Sequence, residues 1–320
     1  MRFVVEPWAP DYGSPVPEHQ MQPSSAQVDA GVELPAGRWR PLRPAGPCAR
    51  TVAFVDGVRR IDAQVWVTGA DHRTWPGLCA SYAAGIVTCN GTAEIEGIEV
   101  RREVLCPVGN LEAIRARRVT YAPVVQPGDS PEQLTLALQR RMRELEIAVT
   151  AHAGPAELLV VDGPLRGRQD LPGAIGLVKT HQVAYLPPAV IGVVGALGSG
   201  ERTPLFATAT SWSRFSWYLR LPGADGHDWA GVVRAEASAD LGAHQARRLA
   251  DLVTVTLPAF ASASHKDPRA PQNLYPIGGL ERILRHRLGD PALLYRAIHT
   301  AARHAATAAP EHRCPALTAH

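Results

Sequence analysis

The chain has 320 residues, 46% hydrophobic and 20% charged, a globular composition that excludes a natively disordered protein. Its 33 basic and 30 acidic residues leave a net charge of +3, too small to announce nucleic-acid binding by charge alone. No apolar run approaches the roughly 18 residues of a membrane span, and the opening MRFVVEPWAPDYG lacks a signal-peptide core, so a cytoplasmic protein with no membrane attachment is expected.

In chain order, residues 1–47 are rich in Pro, Ser, Gly and Gln without helical or strand periodicity and predict an extended, partly mobile arm. One elaborated domain is expected over 48–308. It opens with a short β-rich run, Thr51 to Gly57, that ends on Asp56 and a glycine. Ile61 to Val67 alternates apolar and polar residues as a half-buried strand does. Ala80 to Asn90 and Ala93 to Val104 extend an antiparallel meander, with Asn90-Gly91-Thr92 as its turn rather than a glycosylation site. Pro131 to His152 is the clearest helix: Asp129-Ser130-Pro131 supplies its start, and Leu138, Met142, Leu145 and Val149 fall on one stripe. Glu157 to Leu165 then reads as a buried strand stopping on Asp162-Gly163. Strands follow at 174–186, 205–210, 216–221 and 230–235. Helices are expected at 243–257, 280–288 and 291–306, before a frayed tail at 309–320.

Two aspartates, Asp56 and Asp162, each end an apolar run and precede a glycine. A carboxylate at the end of a buried strand projects into the crevice at the sheet edge, and the glycine allows a sharp turn. Two such carboxylates suit a hard cation such as Mn²⁺ or Mg²⁺; a single Asp-Gly is more often a plain turn. A third ligand is expected on the helix between them, which offers Glu144 and Glu146. At 100° per residue Glu146 flanks the buried stripe and Glu144 points to solvent, although both could be solvated helix carboxylates.

Only two of the 33 basic residues are lysines, Lys179 and Lys266. Lys179, retained inside the apolar GLVKTHQ, stands out as a compact point charge, against the plainer reading of a snorkelling lysine at a strand end. The five cysteines (Cys48, Cys79, Cys89, Cys106, Cys314) are scattered without a C-x-x-C pair, against both a zinc knuckle and a disulfide framework. The loop Gly195 to Thr203 nearly matches a phosphate-binding P-loop but has Glu201-Arg202 where Lys and Ser/Thr belong, so ATP binding there is rejected. Trp212, Trp217, Tyr218 and Trp229 suit core packing or, for Trp217, stacking on unpaired bases. Arg282 and Arg285 head an arginine-rich C-terminal stretch that suits a DNA path or a solvated helix face.

FVDGVRR (54–60), the helix with LE at 145–146, LLVVDGPL (158–165), GLVKTHQ (176–182), RFSWYLRLP (214–222) and PQNLYPIGGLERILRH (271–286) occur in that order. This set resembles the NurA nucleases, which process DNA ends with the hexameric HerA ATPase. The resemblance spans about residues 51–298. It implies an RNase H-like α/β core, with a mixed central sheet flanked by helices. It also implies a manganese-dependent 5′-to-3′ exonuclease with single-strand endonuclease activity, acting in DNA end resection and break repair as a homodimer with a HerA-type partner. Carried over by motif, Asp56, Glu146 and Asp162 match the family's metal carboxylates, and Tyr275 and His286 are the candidates for its C-terminal Tyr and His. The resemblance would add His286 to the three carboxylates as a ligand of two ions, and Lys179 would sit beside the site as a point charge for the scissile phosphate. A rival enzyme keeps the fold and cuts RNA or junctions; a rival of another class is a non-catalytic scaffold docked on an ATPase ring.

Overall fold

The computed structural model describes residues 21–308, apart from Ser25, 70–72, Asn110, Asp129, Ser211 and Asp225, and apart from the side chains of Gln22, Pro23 and 306–308. The strands are β1 (Gln22–Pro23), β2 (Gln27–Asp29), β3 (Val52–Thr68), β4 (Thr74–Asn90), β5 (Thr92–Cys106), β6 (Ile114–Ala116) and β7 (Val119–Val125), followed by helix α1 (Pro131–Thr150). Then come β8 (Leu158–Asp162), β9 (Ala174–Val178), β10 (Val183–Ala184), helix α2 (Pro188–Gly195), β11 (Phe206–Ala209), β12 (Ser213–Arg220) and β13 (Val232–Ser238). Helices α3 (Gly242–Thr256), α4 (Tyr275–Arg287) and α5 (Pro291–Ala308) complete the described chain. The fold is mixed α/β, with parallel and antiparallel pairs in its sheet.

Contacts divide the chain into two units, where one domain was expected. Among the described residues, the first comprises 21–56, 85–98 and 146–283; the second comprises 57–84, 99–145 and 284–308. Strands β3, β4 and β5 contribute residues to both.

In the first unit, β3, β8 and β9 lie side by side and parallel, and β13, β12, β11 and β2 continue antiparallel from β9. Val52–Val55 and Leu158–Val161 are buried along their whole length, as parallel strands covered on both faces must be. An aromatic cluster of Phe206, Tyr218 and Trp229 packs with Leu186, Val190 and Val194. Met21 joins this cluster, and β2 adds itself to β11. From residue 21 onward, therefore, the N-terminal segment is not the mobile arm that its composition predicts. Its few anchoring side chains are too sparse to give a period, yet Glu33, its side chain 5% exposed, receives two bonds from Arg202. Residues 1–20 and the tail 309–320 lie outside the described residues.

In the second unit, β5 pairs parallel with β7, and β7 pairs antiparallel with β6. Ala63, Cys79, Val104, Ala116 and Tyr121 form its core with Ala297 and Ile298 of α5. Buried Asp62 accepts bonds from Ser81, from the Tyr121 hydroxyl at 2.9 Å and from Arg60 at 2.7 Å, so this core carboxylate is fully engaged.

Two expected strands, 51–57 and 61–67, are one strand, β3. Asp56-Gly57 is consequently no turn. The Asp162-Gly163 turn is real: Gly163 has φ 96° and donates its N–H to the Leu177 carbonyl at 2.9 Å. Gly91, at φ 74°, is the one-residue link between β4 and β5. Helix α2 has no counterpart among the expected elements, because PAVIGVVG is apolar on every side and shows no helical contrast.

Candidate functional site

The site grows from the parallel register of β3 and β8. Phe54 pairs with Val160 and Val55 with Val161. One residue further on, the same register sets Asp56 beside Asp162. Side chains at matched positions of parallel strands share a face, so the two carboxylates emerge together. On the other side of β8, Asp162 is matched with Leu177 of β9. Lys179 lies two residues beyond Leu177, again on that face, and its Nζ donates to Asp162 Oδ2 at 2.7 Å.

Lys179 is itself positioned from α4's side of the chain. Its Nζ also donates to Oδ1 of Asn273 at 2.8 Å, and Nδ2 of Asn273 donates to Asp267 Oδ2 at 2.7 Å. Asn273 is completely buried, so its fixed amide sets where the ammonium sits. On α1 the buried stripe runs through Leu134, Leu138, Leu145 and Val149, and Glu146 falls on it at 8% exposure. Glu146 Oε2 accepts from buried Arg168 at 2.8 Å. Glu144, its side chain 59% exposed, pairs with Arg141 at the surface. Helical geometry thus separates the two glutamates as the sequence predicts.

A fourth carboxylate belongs here. Glu281 of α4 pairs with Arg269 and lies within electrostatic reach of Asp56. Burial pushes the Asp56 carboxyl well above the usual range, and the neighbouring Asp162 pushes it further. Lys179 opposes this, while Glu281 and Glu146 add smaller upward contributions. Burial beside a second carboxylate favours a proton on Asp56 until a cation arrives.

The remaining expected site residues are placed differently. Tyr275 begins α4, 41% exposed, with its hydroxyl accepting the Ala263 N–H at 3.2 Å and the Lys266 ammonium 5.4 Å from its ring centroid. His286 belongs to the second unit, exposed in the last turn of α4 beside Arg285 and Arg287. Basic residues there complement the negative end of the helix dipole, which accounts for them without a metal. His286 also lies five residues from Glu281, about 140° around the helix. Trp217 requires correction: it is 0% exposed in β12 and cannot stack on a base. Its alternation with Ser216 and Tyr218 in a strand covered on both faces explains why. Arg282 and Arg285 are exposed on α4. In the GLVKTHQ segment only Lys179 serves the site. His181 is buried, its pKa lowered to about 4 by that burial, and its Nε2 lies 3.0 Å from the Val232 carbonyl.

Among the described residues, no three His, Cys, Asp or Glu side chains converge as a ready metal-ligand group. Asp162, Glu146 and Glu281 are each held by a protein cation instead. The Asp56–Asp162 pair is the part that fits a divalent ion, since it supplies two adjacent hard oxygen donors and a proton that a cation can displace. The second ion expected from the resemblance has no ligand set of its own among the described residues.

The loop that resembles a P-loop is closed by its own residues. The Gly198 N–H donates to Glu201 Oε2 at 2.7 Å, and Arg202 is buried between Glu33 and Asp251. Sequence reasoning missed Glu281, Asn273 and Arg168. The first two lie inside PQNLYPIGGLER, where Asn before an apolar helix start was a usable signal; Arg168 in its loop carried none. Comparison with known protein families and with curated proteins finds no match for this chain.

Proposed function

We propose that the chain is a metal-dependent phosphodiesterase of NurA type, with an RNase H-like core, acting on DNA ends. The observation that supports this best is the pair Asp56–Asp162, set on one face by adjacent parallel strands with Lys179 2.7 Å from Asp162. Asp56 and Asp162 would hold a Mn²⁺ or Mg²⁺ ion, with Glu281 and then Glu146 the further carboxylates in electrostatic reach. Such an ion supplies an activated water and neutralises charge building on the phosphate. Lys179, steadied by Asn273, is placed to donate to a phosphate oxygen once Asp162 turns to the ion. The 5′-to-3′ polarity, the homodimer and a HerA-type motor as partner follow from the motif resemblance. They are consistent with a glycine-rich loop whose own side chains fill it.

One observation favours a different reading. Asp162, Glu146 and Glu281 are each matched to a cation of the chain, as in a purely structural ion-pair network beneath a docking surface. An assay on end-labelled single- and double-stranded DNA, with Mn²⁺ and with chelator, separates the two. The nuclease reading expects Mn²⁺-dependent cleavage that Asp56→Asn abolishes; a scaffold cuts under neither condition.

A further inference from the structure

The second unit carries a cleft that the carboxylate site does not use. It lies between the β6–β7 hairpin and α5, encloses about 640 Å³, and is lined by Arg115, Arg117, Arg296 and His304 around a floor that includes Leu293 and Ala297. Leu293, Arg296, Ala297, Thr300 and His304 repeat at helical spacing, so one whole face of α5 is turned to it. Helix α5 contains no Asp or Glu from Pro291 to Ala308, and neither does the hairpin from Ile114 to Val125.

Three features of this cleft bear on what it can bind. Among the described residues, Arg60, Arg141, Arg168, Arg202 and Arg269 each pair with a carboxylate. Among the described residues Arg115, Arg117 and Arg296 form no ion pair. Converging guanidinium groups with no counter-charge repel one another and focus a positive potential into the concavity. Second, the hairpin turn is made by Arg117-Arg118, and Arg117 has φ 57°. It is the only non-glycine residue at positive φ among the described residues. Gly, Asn or Asp ordinarily takes such a turn position, so the hairpin accepts backbone strain to present an arginine there. Third, the bases are arginines, whose planar fork grips phosphate oxygens in pairs.

We propose that this cleft binds the phosphodiester backbone of a nucleic-acid strand. Exposed arginines line the cleft from both α5 and the hairpin, where each can take a phosphate oxygen, and a floor that includes Leu293 and Ala297 offers no polar group that would select a base. The inference deepens the nuclease reading by giving the substrate a second anchor, yet it stands on the cleft alone and can hold where no cleavage is found.

The test is fluorescence anisotropy of the full chain with a labelled 30-nucleotide single strand, in chelator so that nothing is cut. The triple variant Arg115→Gln, Arg117→Gln, Arg296→Gln is expected to bind at least 10-fold more weakly. Its log Kd against log salt slope should flatten by about 2, as losing three phosphate contacts on a single strand requires. Arg117→Gly gives the sharper control, because glycine suits φ 57° and removes the arginine side chain without straining the turn. It should melt no lower than the parent while weakening binding 2- to 5-fold. Thr300→Glu, an exposed change that sets an acid in the cleft, should weaken binding likewise. Unchanged affinity and salt slope in all three variants overturns the proposal. So does a cleft whose variants lose affinity for inorganic phosphate or pyrophosphate but keep the strand, since the site would then take a small anion. Cleavage of DNA is read separately, so failure of the nuclease reading leaves this result interpretable.

Discussion

Asp56 is where the chemistry and the stability of this chain pull in opposite directions. Its carboxyl titrates higher in the folded chain than in the unfolded one. Between those two pKa values the folded state holds the extra proton, so stability falls as pH rises through that window. Asp56→Asn removes the buried, repelled charge and should raise the melting temperature at pH 7 to 8 in metal-free buffer, by about 2–4 °C for each kcal/mol relieved. The gain should vanish below pH 4, where Asp56 is protonated in both states. A thermal melt series from pH 4 to 8 on parent and variant checks this, and an equal or lower melting temperature at pH 8 contradicts it. The two α1 glutamates make a companion pair. Glu146→Gln strands Arg168, whose side chain is 2% exposed, and should cost about 3–5 kcal/mol as a broken buried pair does. Glu144→Gln loses only a surface pair worth less than about 1 kcal/mol. Urea unfolding of both variants reads the difference.

At the scale of elements, the N-terminal segment carries the clearest structural prediction. Met21 sits among Leu186, Val190 and Trp229, β2 adds to β11, and Glu33 neutralises Arg202. Deleting residues 1–20 keeps Met21, β2 and Glu33 in place and should leave the melting temperature within about 2 °C of the parent. Deleting 1–47 leaves Arg202 with one of its two carboxylates and opens the aromatic cluster, so it should cost at least about 3 kcal/mol. The shorter deletion is therefore the one suited to asking whether an ATPase docks at the N-terminus. Elements were legible where their pattern had contrast. Helix α1 showed a stripe, a start signal at Ser130, whose Oγ accepts the Gln133 N–H at 3.3 Å, and a stop. β3 looked like two strands because Arg59-Arg60 breaks the apolar run, although the backbone continues and Arg60 folds onto Asp62 and the carbonyls of Leu288 and Gly289 just past α4. Helix α2 lacked contrast altogether.

At the scale of the molecule, the carboxylate pair was readable in the sequence because a buried run ending on Asp-Gly is a local pattern, and two of them on core strands invite convergence. What arranges the pair was not readable. The β3–β8 register, the Asn273 amide that steadies Lys179, and the electrostatic influence of Glu281 on Asp56 join residues far apart in sequence. Local pattern also misassigned Trp217, whose strand is buried on both faces, and could not place His286, which the C-terminal turn of α4 explains by its dipole. The central claim is that Asp56 and Asp162 together hold a divalent cation. Calorimetric titration of the full chain with Mn²⁺ at pH 7, in two buffers of different ionisation enthalpy, tests it most directly. The account predicts saturable binding that releases a proton, because a carboxyl raised by burial and by its neighbour must ionise to ligate, and it predicts loss of that binding in both Asp56→Asn and Asp162→Asn. Mn²⁺ binding of equal affinity in parent and both variants, or no binding to the parent, would contradict it.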